Sequence, residues 1–422
     1  MTDSQLADRR LRSECDPRAQ SYTREESVVK QDSKGRQVAE WDARRSDRKY
    51  VGLDVHKATI AVAVADEGRG EVRSYGTIKN TPEAVAKLVK QLGSAERLLC
   101  CYEAGPCGYG LERQVRGMGA GCVVVAPSLI PTRPGERIKT DRRDALKLAR
   151  LLRSGELTAI WVPDAEHEAL RDLSRARETA RDALHQARQH VSKLLLRLGI
   201  EAPNGLKRWT QRYRSWLGEV KLEHAQQQVV LADYIQTVDV ATARLKRLEV
   251  SLTEAATQGR HAPLIAAVQS LRGVGVITAV SIVAELGDLG RFPSARPLMA
   301  YLGLVPSEHS SGGSQRRGRI TKAGNRHVRH LLVQAAWHYR HPPKLTAALN
   351  KRQAGQPTAV TDVAWRAQER LHARYRHLAG RKGRQKAVIA VARELAGFIW
   401  ALARAHADHR ATTTTTASTV AA

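Results

Sequence analysis

The residues with the most to explain in this chain are acids. Lys and Arg number 69 against 42 Asp and Glu, a net charge of +27, yet several carboxylates fall in or beside the most apolar stretches. Asp54 sits inside "VGLDVHK", and Glu103 ends "LLCCYE". Asp141 and Asp144 open "DRRDALKLARLL", placed one helical turn apart on the same face. A buried carboxylate without a partner is costly, and four converging carboxylates repel unless cations neutralise them. An all-oxygen donor set suits Mg²⁺, and two such ions would answer four carboxylates. Paired ions activate an attacking oxygen and stabilise the leaving oxygen in phosphodiester cleavage. Singly, each acid has a plainer role: Asp141 and Asp144 suit the positive end of a helix, and Glu103 suits an ordinary strand end. It is the convergence that favours a metal site. His56, close behind Asp54, either supports these acids or belongs to the turn.

Convergence depends on the elements around these residues. "KYVGLDV", "TIAVAVAD" and "EVRSYGTI" read as a meander of three strands. "NTPEAVAKLVKQLG" reads as a helix, with Thr81 as N-cap, Pro82 at the first position and Gly93 as the stop. A buried strand "RLLCCYEA", a short helix "GYGLERQVRGMG" and a second buried strand "GCVVVAP" follow. A helix capped by Thr140 and closed by Gly155 completes the order βββαβαβα. A meander followed by βα crossovers predicts an α/β ribonuclease H-like fold over residues 48–158. The first and fourth strands of that fold are neighbours. Asp54 and Glu103 then meet at one end of the sheet, where the last helix delivers Asp141 and Asp144.

Residues 1–47 are polar and charge-mixed, which predicts a disordered arm. Residues 159–262 read as helical. Two heptad seams, Leu170 to Leu198 and Leu231 to Leu252, predict either an antiparallel hairpin or pairing between chains. Residues 263–406 read as a mainly α C-terminal domain. It opens with a helix-hairpin-helix pattern, "LRGVGVITAVSIVAEL", whose Gly273–Gly275 turn can lay N–H groups against a phosphate. A flexible loop is expected at Gly312 and Gly313. After it come Arg316, Arg317, Arg319, Lys322, Arg326 and Arg329 with no acid among them, and a second basic cluster runs from Arg370 to Lys386. With Arg142 and Arg143 beside the acids, these residues predict contact with nucleic-acid phosphates. His327 and His330 are expected to face solvent or phosphate. The tail, 407–422, is of low complexity and expected to be disordered. The five cysteines form no paired CxxC pattern, which argues for reduced thiols and against zinc. No segment reaches the ~18 uninterrupted apolar residues of a membrane span, and the N-terminus lacks a signal-peptide core. A cytoplasmic protein without a membrane partner is the expectation.

Four stretches carry a resemblance. "YVGLDVHKATIAVAVAD", "CYEAGPCGYGLERQV", "VVVAPSLIPTRPGERIKTDRRDALKLARLL" and "LMAYLGLVPSEHSSGGSQRRGRITKAGNRHVRHLLVQAAW" resemble the DEDD transposases of bacterial insertion sequences. The resemblance implies a RuvC-like catalytic domain, a coiled coil and a C-terminal transposase domain. It places the family's D, E, D and D on Asp54, Glu103, Asp141 and Asp144. It also implies a serine nucleophile in the C-terminal domain, best matched by Ser311 in "PSEHSSGG", with Ser310 adjacent. A phosphoserine link conserves phosphodiester energy, so strands can be rejoined without another energy source. Double-stranded DNA and a structured guide RNA encoded by the element are the implied partners. A composite site with acids from one chain and serine from another is implied too, hence a homo-oligomer (dimer or tetramer) associated with the bacterial nucleoid.

Other readings compete. A RuvC-like nuclease or resolvase would direct water with the same acids and would not need Ser311. An actin-like kinase wants a glycine two residues after its first Asp, and His56 stands there. A non-catalytic nucleic-acid-binding protein has no reason to keep all four acids and the Ser-Gly pair. The RNA-guided transposase is the favoured reading.

Overall fold

The protein is described by a computed structural model covering residues 47–132 and 139–420, the stretch 413–420 as backbone only. The expected arm, but for Asp47, and Cys15 within it lie outside the described residues. The chain divides into two compact units, one ending at Asp164 and the other beginning at Ala165.

The first unit is built on a five-stranded sheet. Strands β1 (Lys49–Val55), β2 (Thr59–Asp66), β3 (Arg73–Lys79), β4 (Leu98–Glu103) and β5 (Gly121–Val125) take the order β3-β2-β1-β4-β5. The meander pairs are antiparallel, while β1–β4 and β4–β5 are parallel. Helices α1 (Pro82–Leu92) and α2 (Gly110–Gly117) cover one face, where Val51, Leu53, Cys100 and Tyr102 pack against Val85, Leu88, Val89 and Val115. Helix α3 (Asp141–Arg153) covers the other, setting Ala145, Leu148, Ala149 and Leu152 on Tyr50, Ala61, Ala63 and Cys101. Each fully enclosed Leu or Val contributes about 1.5–3 kcal/mol. The caps are as expected: Thr81 accepts from the Ala84 amide, and Thr140 accepts from the Arg143 amide at 3.3 Å. The unit runs past the expected boundary at 158. Ala159 bridges Val125, and the Ile160 amide donates to the Val124 carbonyl at 2.8 Å, so this segment finishes the sheet edge.

In the second unit, α4 (Ala165–Arg197), α5 (Gln211–Glu219) and α6 (Ala225–Ala255) come first. Pairing of Arg177 with Glu249 and of the His190 and Tyr234 rings shows that α4 and α6 run antiparallel within one chain. Seam residues Leu184, Ala187, Val191 and Leu194 are buried there against Tyr213, Leu217, Leu231 and Val238. The base of this pair does not stand apart as the separate region expected for 159–262. Ser174 on α4 bonds Ser281, and His167 and Arg171 bond the Ala284 carbonyl, all within the C-terminal core. That core comprises α7 (Ala262–Val268), α8 (Val276–Leu286), α9 (Ala295–Tyr301) and α10 (Arg326–Ala336), then, past α11 (Ala347–Gln353), which is tied on by Arg352 donating to the Val274 carbonyl, α12 (Thr358–Lys382) and α13 (Arg384–Val420). Helix α13 continues to Val420, through the tail expected to be disordered, because no glycine or proline follows Gly397 to stop it. The loop expected at Gly312 is instead a hairpin of β6 (Pro306–Ser311) and β7 (Ser314–Ile320).

Candidate active site

Strand alternation decides which way the acids point. In β1, Val51 and Leu53 belong to the α1 face, so Tyr50, Gly52 and Asp54 belong to the α3 face. In β4, Leu99 and Cys101 pack on the α3 side, which puts Glu103 there too. Parallel pairing of Leu53 with Tyr102 makes Asp54 and Glu103 the next residues of adjoining strands. The cover over this face is α3, and its first residues are Asp141 and Asp144.

Gly52 sets how close that cover lies. A Cβ at this position would fall 2.2 Å from the Ala145 carbonyl oxygen and 2.4 Å from the Ala149 amide. Only a bare α-carbon lets the helix settle directly on β1. Its N-terminus then comes down at the end of that strand, and the side chains of Asp54, His56 and Asp141 offer donor atoms all within 4.8 Å of one another. His56 Nε2 lies 3.3 Å from Asp54 Oδ2 and 3.5 Å from Asp141 Oδ1. Burial pushes the Asp54 carboxyl above its ordinary pKa; His56 draws it back, while Asp144 and Asp141 push it higher. Asp144 itself has the Lys139 ammonium 3.8 Å away.

The gathered trio thus differs from the expected four acids: it holds an imidazole, Asp144 acts on Asp54 from α3, and Glu103 is placed by strand register at the end of the adjoining strand. A partly desolvated Asp54, its pKa raised by burial and further by Asp144 and Asp141, marks a place that gains from a divalent cation, and the carboxylate-rich donor set fits one. His56 is the member that composition could not promote, since a histidine in a short turn has no distinguishing signal. Gly52 had one, a lone glycine between bulky apolar strand residues.

Ser311 lies in the other unit, at the tip of the β6–β7 hairpin. It pairs with Ser314 across the Gly312–Gly313 turn and is exposed. Alternation gives the ribbon two faces. Glu308 and Ser310 share one with Gln315 and Arg317: the Ser310 hydroxyl and the Gln315 amide both donate to Glu308 Oε1 at 2.8 Å, and Arg317 stands 3.6 Å from Glu308. His309 and Ser311 share the other face with Arg316. Arg319 and Lys322 are exposed along and after β7. Arg326 borders a cleft of about 450 Å³ with Glu178, Asp182 and Glu285. Arg329 differs: its guanidinium donates to the Leu302 and Ala323 carbonyls at 2.8 Å and braces the hairpin's base. His327 does not face open solvent, since it is half-buried with Nδ1 3.7 Å from Glu178. Arg142 and Arg143 are exposed at the start of α3.

Comparison with known proteins covers both units. A transposase family model of the DEDD, IS110 type matches residues 51–200, and one described as the transposase IS116/IS110/IS902 family matches residues 265–349. A Sinorhizobium fredii protein named as a transposase, y4qE, is 48% identical over 359 residues, covering 84% of this chain and 88% of the relative. The transposase for insertion sequence element IS1533 of Leptospira borgpetersenii is 32% identical over 332 residues, 78% of this chain and 96% of the relative. The transposase for IS1111A of Coxiella burnetii is 26% identical over 360 residues. Among the described residues no helix is long and apolar enough to cross a membrane.

Proposed function

The chain belongs to the IS110 family of DEDD transposases, enzymes that act on DNA, and from that premise we propose which residues do the chemistry. Asp54, Glu103, Asp141 and Asp144 hold the divalent metal that a DEDD domain depends on, and Mg²⁺, as two ions, is the species the donors suit best. The observation that carries this reading is the meeting of Asp54, Asp141 and His56 within 4.8 Å at the one point where α3 lands on β1. When bound, the metal supplies positive charge for the developing charge on the phosphate oxygens. His56 orients the two aspartates through its hydrogen bond to Asp54 and its close approach to Asp141.

Ser311 is the nucleophile of this proposal. Its Oγ attacks the scissile phosphorus, the bond to the leaving sugar oxygen breaks, and that oxygen takes up a proton. A phosphoserine ester remains, and a sugar hydroxyl from another strand reverses the step to rejoin DNA. Ser310 is the weaker choice, since its hydroxyl is engaged by Glu308 while Ser311 shares its face with His309 and Arg316. Arg142, Arg143, Arg316, Arg317, Arg319, Lys322 and Arg326 meet nucleic-acid backbone, with Arg329 acting by holding the hairpin. A structured RNA encoded by the element guides the DNA choice. The α4–α6 pair serves as the coiled coil of an oligomer in which one chain's acids work with another's serine. The place of action is the bacterial cytoplasm, at the nucleoid.

The test is strand cleavage by purified protein with Mg²⁺, DNA and RNA from the same locus. Asp54→Ala should abolish cleavage with nucleic-acid binding intact. Full cleavage by Ser311→Ala would replace serine chemistry with metal-directed water.

A further inference from the structure

The β6–β7 hairpin stands on two feet, residues 302–305 before it and 321–324 after it, and the feet are fastened to each other. The Thr321 amide donates to the Val305 carbonyl at 2.9 Å, and the Lys322 amide donates to the Gly303 carbonyl at 3.1 Å. Arg329, in the first turn of α10, spans both by donating to the Leu302 and Ala323 carbonyls. Backbone lies directly on backbone here. A Cβ on Gly303 (φ +62°) would strike the Ala323 backbone, and one on Gly324 (φ +65°) would strike the Tyr301 carbonyl. In the second foot Lys322 holds φ +57°, a left-handed conformation that costs any residue with a side chain. Such a residue persists where its surroundings over-determine it.

What holds Arg329 and its helix lies outside the hairpin. Asn325, the N-cap of α10, uses both ends of its amide: Oδ1 accepts from the Val328 amide at 2.9 Å, and Nδ2 donates to Glu285 Oε2 at 2.8 Å. Glu285, on α8, is 3% exposed. Its carboxylate takes two more bonds from the Arg175 guanidinium on α4, at 2.7 and 3.1 Å. The contacts thus run from Arg175 through Glu285 and Asn325 to the start of α10, and through Arg329 to both feet. A buried ion pair is a poor source of stability, since a well-packed apolar pair does as well. Direction is what an apolar pair lacks. One carboxylate with three directed donors fixes α4, α8 and the start of α10 against one another.

We propose that Arg175, Glu285 and Asn325 are positioning residues for strand cleavage: they carry the orientation of α4 to the feet of the hairpin and so aim Ser311 at the scissile phosphate. This rests on Ser311 as the nucleophile. The lever is long. Strand β6 has 6 residues, so Ser311 stands about 20 Å from the feet at ~3.4 Å per residue. A tilt of about 3° at the base then moves the tip by about 1 Å, a misplacement that costs about a hundred-fold in rate.

Asn325→Ser in the full-length protein is the main test. Serine still caps α10 but is too short to hold Glu285. With Mg²⁺, DNA and RNA from the same locus, its single-turnover cleavage rate at saturating DNA should fall about ten- to a hundred-fold. The DNA concentration for half-saturation should stay within about two-fold, since a positioning residue changes the rate and not the binding. Hydrogen exchange of the hairpin amides should quicken while the rest of the C-terminal core exchanges as in the wild type. Arg175→Lys keeps one charged donor to Glu285, so it should retain more of the rate than Arg175→Met. A wild-type rate in Asn325→Ser beside an inactive Ser311→Ala overturns the positioning role and leaves the serine reading standing. A loss seen only in DNA affinity, or faster exchange throughout the core, overturns it too. Full cleavage by Ser311→Ala overturns the serine reading itself, so the two failures are told apart.

Discussion

The acid cluster and the serine hairpin are made in opposite ways. Asp54 is fixed by a buried strand, a helix pressed onto bare backbone and a neighbouring imidazole, and its surroundings raise its pKa before any ligand arrives. Ser311 projects at the tip of a two-stranded ribbon whose residues beyond the base are exposed on both sides. Charge that must be placed to a fraction of an ångström is built into a core, and a group that must reach a large substrate is built on an arm. The first arrangement stores repulsion; the second stores none.

The largest expected effects separate these two designs. Asp54→Ala and Ser311→Ala should each reduce strand cleavage by at least about a thousand-fold, more than ~4 kcal/mol of transition-state stabilisation. Their stabilities should diverge. In chelator, Asp54→Asn should melt higher than the wild type. The folded pKa of Asp54 is raised, so its ionisation costs stability as pH rises past the unfolded pKa, and the asparagine removes that cost. Ser311→Ala should melt unchanged. Equal thermal behaviour across the metal titration would break the contrast. Next is Gly52→Val, which should lift α3 from β1, cost about 1–3 kcal/mol by overpacking and lower cleavage about a hundred-fold through misplacement alone, read by calorimetry and a cleavage assay together.

Glu285 probes the ground beneath the hairpin. Burial pushes its carboxyl up, but the Arg175 guanidinium and the Asn325 amide outweigh it and hold the pKa below the ordinary value. Its contribution is therefore present above the unfolded pKa and lost as pH falls through the folded one. Glu285→Gln should cost roughly 1–3 kcal/mol at neutral pH, and the difference from wild type should shrink in urea melts at acid pH. The smallest effect belongs to His56→Gln, about ten-fold or less in cleavage, since the side chain steers aspartates that a metal would also hold.

Much of the first unit was legible because its signals are local and physical. Val51 and Leu53 alternate with Asp54, Thr140 and Pro82 mark helix starts, and an acid in an apolar strand is conspicuous. The second unit hid more. "SEHSSGGSQRR" has no apolar alternation, so nothing in it announces a strand; the pairing is held by a glycine turn and by polar bonds such as Ser310 to Glu308. The join of α4 to the C-terminal core rests on Ser174, His167 and Arg175 meeting residues more than a hundred positions away, a distance at which spacing carries no information. Arg329 read as one more cation in a run, and only its two carbonyl partners mark it as a brace.

The close landing of α3 on Gly52 also orders events in time. Asp54 and Glu103 are synthesised before Asp141, and in the proposed site they remain an incomplete set until the helix bearing Asp141 and Asp144 has docked. On that proposal, a chain that stops short of this helix would carry its first acids without the full set. Were those four acids the metal site, competence to break DNA would arrive only with a folded unit, and Gly52 would govern its timing as well as its geometry.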